Sequence, residues 1–238
     1  MNNYKIKVGI IGGSGLGDPQ NQILKCQTVT TREEAKNDFG LPSSDLYHGS
    51  INNVDVILLS RGQLVIPDSF LDRTIKRSTT FYDGTSSKYS GVCHMPMEPA
   101  FDPSTSQILF EVGKELGYSI QKGGTVVTIE GPRFSSKAES NALRLWGGQL
   151  VNMTTCPEVY LAKEAGLLYA AVAMATDYDC WRDCGDKVHA ADVVAVFKQN
   201  VNKIKEILTK AVKIIGERNW DKEIDALQEL CRSSNVSS

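Results

Sequence analysis

Two carboxylates at alternate positions, Asp177 and Asp179, stand just past the apolar run Leu168–Ala175. A carboxyl at the end of a buried strand is partly desolvated, and a desolvated carboxyl can hold a proton and hand it to a leaving group. Asp also forms turns, so the pair serves equally well as a chain reversal. After Lys7-Val8-Gly9-Ile10-Ile11 comes Gly12-Gly13-Ser14-Gly15, which can turn backbone N–H groups and the Ser14 hydroxyl toward an anion, because glycine allows close approach and positive φ. A plain structural turn fits the same string. The pattern is neither G-x-G-x-x-G nor a Walker loop, so a dinucleotide or ATP site has no support. In Gly131-Pro132-Arg133-Phe134-Ser135-Ser136, Phe134 can stack on a planar ring or join the core. In Val151-Asn152-Met153-Thr154, Asn152 and Thr154 offer polar groups to a sugar and a phosphate beside the polarizable Met153. Asn152 taken alone also reads as a cap residue.

Positioning these groups requires strands that end beside them. The spacing predicts strands over Lys7–Ile11, Val54–Ser60, Gly124–Ile129, Gln149–Met153 and Leu168–Ala175, apolar enough to be covered on both faces. Helix starts fall between them: Asp102-Pro103, a capping box at Ser136 and Glu139, and Thr155 with Pro157 and Glu158. A long helix from about Ala190 aligns Val193, Val196, Phe197, Val201, Ile204, Ile207, Leu208, Ala211 and Ile214 on one stripe. After Gly216 a last helix runs through Trp220, Ile224, Leu227 and Leu230. Strands alternating with helices imply an α/β fold in three layers, with a mixed, mainly parallel central sheet flanked by helices. One stretch resists this pattern. From Ser60 the chain enters Leu64-Val65-Ile66 with no room for the crossover a parallel connection needs, which suggests a tight antiparallel hairpin instead.

At 238 residues the chain fits a single domain over 1–238. Lys+Arg 26 against Asp+Glu 28 gives no electrostatic case for a nucleic acid partner. No apolar run reaches the length of a bilayer span, and the N-terminus lacks a signal pattern, so no membrane role and an intracellular location are expected. The six cysteines are scattered without zinc-ligand spacing, which points to free thiols and no metal.

Taken together, these strings resemble the methylthioadenosine phosphorylases among the purine nucleoside phosphorylases. The resemblance is carried by Val8–Leu16, Phe81-Tyr82-Asp83-Gly84, Gly91–Met97, Val127–Ser136, Asn152–Thr155, Pro157-Glu158, Ala162–Gly166 and Ala173–Trp181. It implies a phosphorylase/hydrolase-like fold and phosphorolysis of 5′-methylthioadenosine to adenine and 5-methylthioribose 1-phosphate, in purine and methionine salvage. It also implies a homotrimer of the cytoplasm, and of the nucleus too, with no metal or organic cofactor and inorganic phosphate as co-substrate. Ser14, Arg61 and Thr154 would then hold phosphate, Asn152 and Met153 frame the ribose, and Phe134 pack on the base. Asp177 and Asp179 would engage N7 and the 6-amino edge. Members that prefer 6-oxopurines carry Asn in that pair, so adenine is the expected base. His94 would reach the 5′-substituent of a neighbouring subunit's substrate, and Val193 and Val194 would wall the methylthio pocket, though Val194 fits ordinary helix packing as well.

The chain departs from that family at one place. Several tens of residues that the family carries between this chain's Arg61 and Gly62 are absent, including a helix, a strand and a loop that contacts phosphate and ribose. Losing a helix and a strand is a large change on the scale of folding stability, about 5–15 kcal/mol. The resemblance therefore leaves two expectations open: a working phosphorylase, or an impaired deletion variant that keeps only nucleoside binding or subunit association.

Overall fold

The computed structural model describes residues 7–11, 25–31, 33–34, 36, 46–51, 54–59, 64–177, 179–181 and 190–236. Among these, β1 (Lys7–Ile11) pairs in parallel with β4 (Val54–Leu59), which runs antiparallel to β3 (Leu46–Ile51), itself antiparallel to β2 (Lys25–Thr30). Three further strands, β5 (Ser69–Arg73), β7 (Thr125–Ile129) and β8 (Leu150–Asn152), are all parallel in the order β5-β7-β8. A short antiparallel pair joins β6 (Val92–Cys93) to β9 (Asn235–Val236). The architecture is the expected α/β arrangement, a mainly parallel central sheet flanked by helices. No helix among the described residues is long and apolar enough to cross a membrane.

Helices cover the parallel strands on two sides. On one, α1 (Pro103–Glu115) and α4 (Ala190–Glu217) pack together around Ile66, Leu109, Val112, Ile207 and Ala211. On the other, α3 (Thr155–Glu164) brings Cys156, Val159 and Tyr160 against Ala100, Phe101 and Phe70. Between them β7 buries Val126, Val127 and Thr128 in succession, as a strand covered on both faces must. The stripe on α4 holds for Val201, Ile204, Ile207 and Ala211, which are buried, while Ile214 sits at its exposed rim.

Local signals placed the helix starts well. Asp102 accepts from the Thr105 N–H with Pro103 at the first turn, and Ser136 and Glu139 form the reciprocal capping box of α2 (Lys137–Leu145). The α2 C-terminus closes with Gly147 at φ +86°, its N–H donating to the Arg144 carbonyl while Gly148 donates to Leu143, a Schellman closure that requires the left-handed residue. Gly148 has no spare room: a Cβ there would lie 2.4 Å from Val127 Cγ2 and 2.9 Å from the Leu143 carbonyl oxygen. Gly148→Ala is therefore expected to destabilise the protein by about 1–3 kcal/mol through overpacking. Calorimetry reads this as a lower thermal midpoint, and an unchanged midpoint would mean that α2 and β7 can part freely.

Four expectations need correction. Leu168–Ala175 forms no strand. Its neighbour Leu64–Pro67 turns the Ile66 N–H and C=O away, to Gln121 and Gly123, so it can offer the other side only Val65 and Pro67. Val65 accepts from the Ala173 N–H at 2.5 Å, but Pro67 has no N–H to continue the ladder. The antiparallel hairpin after Ser60 is not formed either: β4 pairs with β1 and β3, and Ile66 bridges Lys122 in parallel. Thr155 does not cap α3, because Cys156 ahead of Pro157 is extended (φ −93°, ψ 134°), as the residue before a proline prefers. Finally, α4 runs through Gly216 to Glu217, and Trp220 precedes α5 (Asp221–Ser234) as its buried N-cap.

Candidate functional site

The ends of β7 and β8 and the extended segment to Ala175 open into one cleft. Phe134, Ser135, Asn152, Met153, Thr154, Asp177, Asp179 and Val193 all line it. Residues far apart in sequence meet there because parallel strands end on the same edge, where ligands of open α/β sheets bind. The cavity measures about 1910 Å³. Small-molecule pockets are usually about 300–1,000 Å³, so this one holds more than a nucleoside needs.

The turn after β8 has its polar groups committed. Asn152 Oδ1 accepts from the Thr154 and Thr155 N–H groups at 3.2 and 3.3 Å and from the Thr128 hydroxyl at 3.1 Å. Its Nδ2 donates to Thr155 Oγ1 at 2.7 Å, and the Cys156 N–H donates to Thr128 Oγ1 at 3.2 Å. Asn152 thus does the work of a cap for the start of α3. Burial pushes the Cys156 thiol up to about 11, so it stays protonated and inert at neutral pH. Met153 leans over Gly131, whose φ of +71° and missing Cβ make room for it: a Cβ there would stand 2.6 Å from Met153 Sδ. The Phe134 loop and the Met153 turn are fitted to each other at that contact.

Past Ala175 the chain turns on its own carboxylate. Asp177 Oδ1 accepts from the Asp179 N–H at 2.8 Å, and Asp177 Oδ2 accepts from the Thr176 hydroxyl at 2.8 Å. Asp179 adopts φ +54°, a left-handed conformation that Asp tolerates better than most side chains. Its Oδ2 is buried without a hydrogen-bond partner among the described residues, and so is the Oγ of Ser135, a second residue of the cleft lining. Buried polar atoms are rarely left unmade, so two of them facing one cavity mark where a ligand's donors and acceptors belong. The two loops are tied together where Cys180 Sγ donates to the Ser135 carbonyl at 3.0 Å, and Arg144 stacks 3.9 Å over the Trp181 ring.

The structure therefore gathers most, and not all, of the residues singled out from sequence. Val193 lines the cleft, but Val194 is half exposed and does not. His94 lies exposed outside the cleft, its N–H held by the Ser234 carbonyl at 2.8 Å. Ser14 and Arg61 fall outside the described residues. Ser135 is a lining residue that the sequence does not single out beside the more conspicuous Phe134. The available signal is position: it follows Phe134 in the loop between β7 and α2.

Residues 49–213 match the Phosphorylase superfamily. The chain is 47% identical over 274 aligned positions to S-methyl-5′-thioadenosine phosphorylase of Aedes aegypti, with 96% of each chain covered. It is 41% identical over 276 positions to the protein of the same name from Danio rerio, covering 98% of this chain and 97% of that one. Among solved structures it resembles methylthioadenosine phosphorylase from Schistosoma mansoni in complex with adenine, at TM-score 0.88 and 33% identity, covering 97% of this chain and 99% of that one. A mutant of the adenosine/methylthioadenosine phosphorylase of that organism, in complex with methylthioadenosine, gives TM-score 0.85 at 32% identity, covering 97% of this chain and 99% of that one. With 274 positions aligned to a chain of 238 residues, the Aedes protein has a residue at no fewer than 36 positions where this chain has none.

Proposed function

This chain belongs to the phosphorylase superfamily, and on that premise we propose that it catalyses phosphorolysis of 5′-methylthioadenosine to adenine and 5-methylthioribose 1-phosphate. The observation that carries the reading is the cleft lined by Asp179 and Ser135, each with a buried oxygen that has no hydrogen-bond partner among the described residues, together with Phe134 and Met153. A buried carboxylate oxygen gains most from an N–H donor. The 6-amino group of adenine is one, whereas a 6-oxo group would set two acceptors against each other.

In this reading a phosphate oxygen attacks C1′, the C1′–N9 bond breaks, and its electron pair passes into the purine. Asp177 delivers a proton at N7 while Asp179 accepts from the 6-amino group, so charge on the departing base is cancelled as it develops. Phe134 packs on the purine face, and Asn152 and Met153 frame the ribose. Thr154 holds phosphate together with Ser14 and Arg61. Val193 gives the methylthio group an apolar wall. His94, exposed and away from its own cleft, suits a role at the 5′-group of a neighbouring subunit in a homotrimer. Inorganic phosphate is the co-substrate, and no metal or organic cofactor enters.

The shortfall of aligned positions and the oversized cavity favour a companion reading: a chain that keeps nucleoside binding and has lost part of its phosphate site. The test is adenine release from 5′-methylthioadenosine by the purified chain, with and without phosphate. Release that requires phosphate is the expected result. Release without phosphate would make the protein a hydrolase. No release combined with retained adenine binding would select the companion reading, and loss of both would sink the two together.

A further inference from the structure

Arg77 belongs to none of the motifs that pointed to this cleft, yet its guanidinium joins the end of β7 to the turn after β8 through four backbone carbonyls. Nη1 donates to the carbonyl oxygens of Met153 and Cys156, both at 2.6 Å. Nη2 donates to the carbonyls of Glu130 at 3.0 Å and Ile129 at 3.4 Å. Nε donates to Glu130 Oε1 at 3.4 Å. A guanidinium has five N–H donors in a fixed plane, and each has an acceptor here. The four carbonyls come from two places only, the end of β7 that leads into the Phe134 loop and the turn that carries Met153 and Thr154 into α3.

We propose that Arg77 is a positioning residue of the reaction, setting the separation and orientation of the base-facing loop and the sugar- and phosphate-facing turn. This rests on the phosphorolysis reading given above. Peptide planes whose carbonyls are pinned toward Arg77 cannot rotate, so Phe134, Met153 and Thr154 are held before substrate arrives. Misplacing reacting groups by about 1 Å can cost about 100-fold in rate. Glu130 orients the guanidinium in turn: its Oε2 accepts from the Ile75 and Lys76 N–H groups at 2.5 and 3.0 Å. Those backbone bonds, with Arg77 adding to them, hold the Glu130 carboxyl below the usual range, so it stays charged beside the guanidinium. Lysine cannot replace this arrangement, because an ammonium is a point charge with three donors and no planar fork.

The experiment compares the full chain with Arg77→Ala and Arg77→Lys, by hydrogen exchange without ligand and by steady-state kinetics. Exchange is expected to quicken in residues 129–136 and 152–158 and to stay unchanged in α1 and α4. The kcat/KM should fall about 100-fold in both variants, with KM rising for nucleoside and for phosphate. Millimolar guanidinium should restore part of the Arg77→Ala activity, which a residue that only adds global stability would not show. Should Arg77→Ala fail to fold, Arg77→Lys carries the comparison. Exchange quickening everywhere or nowhere, or kcat/KM within about twofold of the parent, overturns the proposal. Were the parent chain to turn nothing over, the phosphorolysis reading would fall by itself, and the exchange pattern with the adenine Kd of parent and variant would still decide for or against Arg77.

Discussion

Asp177→Asn is expected to lower kcat/KM for 5′-methylthioadenosine by about 10²–10⁴-fold, the usual contribution of a positioned general acid. The substitution separates chemistry from structure because the turn survives it. An amide oxygen at the same place still accepts the Asp179 N–H, and the Thr176 hydroxyl, now facing an NH₂, can rotate from donor to acceptor. The thermal midpoint should therefore barely move. What the amide cannot do is carry a proton to N7, so bond cleavage would leave the purine as an anion. Asp179, which accepts from the 6-amino group, is untouched, so the preference for 6-aminopurine over 6-oxopurine nucleosides should remain. Kinetics on 5′-methylthioadenosine and inosine, beside a melting curve, read both effects. Activity within a few-fold of the parent would remove Asp177 from the proton's path and leave it a turn former.

How much of this could be read from the chain depended on how local each signal was. Asp102 with Pro103, and Ser136 with Glu139, act within one turn of backbone, so the spacing alone located α1 and α2. The Leu168–Ala175 run was apolar enough for a strand, but whether it paired was decided by Pro67, which lies a hundred residues upstream. Asn152 carried both of its readings into the structure: it lines the cleft and it also secures the start of α3. Arg77 left no trace in the sequence. Its backbone acceptors lie 52 to 79 residues away and are carbonyls, which every residue type presents alike. A motif can reveal side chains that touch substrate, whereas a residue that acts by gripping backbone is visible only once the strands are laid side by side.

The last expected result concerns what lies between β4 and β5. Inserting between Arg61 and Gly62, where the resemblance to the methylthioadenosine phosphorylases puts the missing residues, a block taken from the Aedes relative should raise kcat/KM for phosphate by about tenfold or more, the scale of one restored hydrogen bond to a charged group, and raise the thermal midpoint with it. Only residues 60–68 connect Leu59, in the four-stranded sheet, to Ser69, in the three-stranded one, too few to carry a helix and a strand. The cleft meanwhile measures about 1910 Å³, more than a nucleoside needs. Apolar surface facing an unfilled space forfeits its dispersion contacts, so material that fills it should stabilise the fold while adding phosphate ligands. Phosphate titrations of the parent and the lengthened chain, run with melting curves, separate the two gains. A higher midpoint with unchanged phosphate dependence would mean that the block packs the core and that Thr154, with Ser14 and Arg61, already suffices for the anion. A gain in both would mean that the chain as it stands has an intact nucleoside half and an incomplete phosphate half.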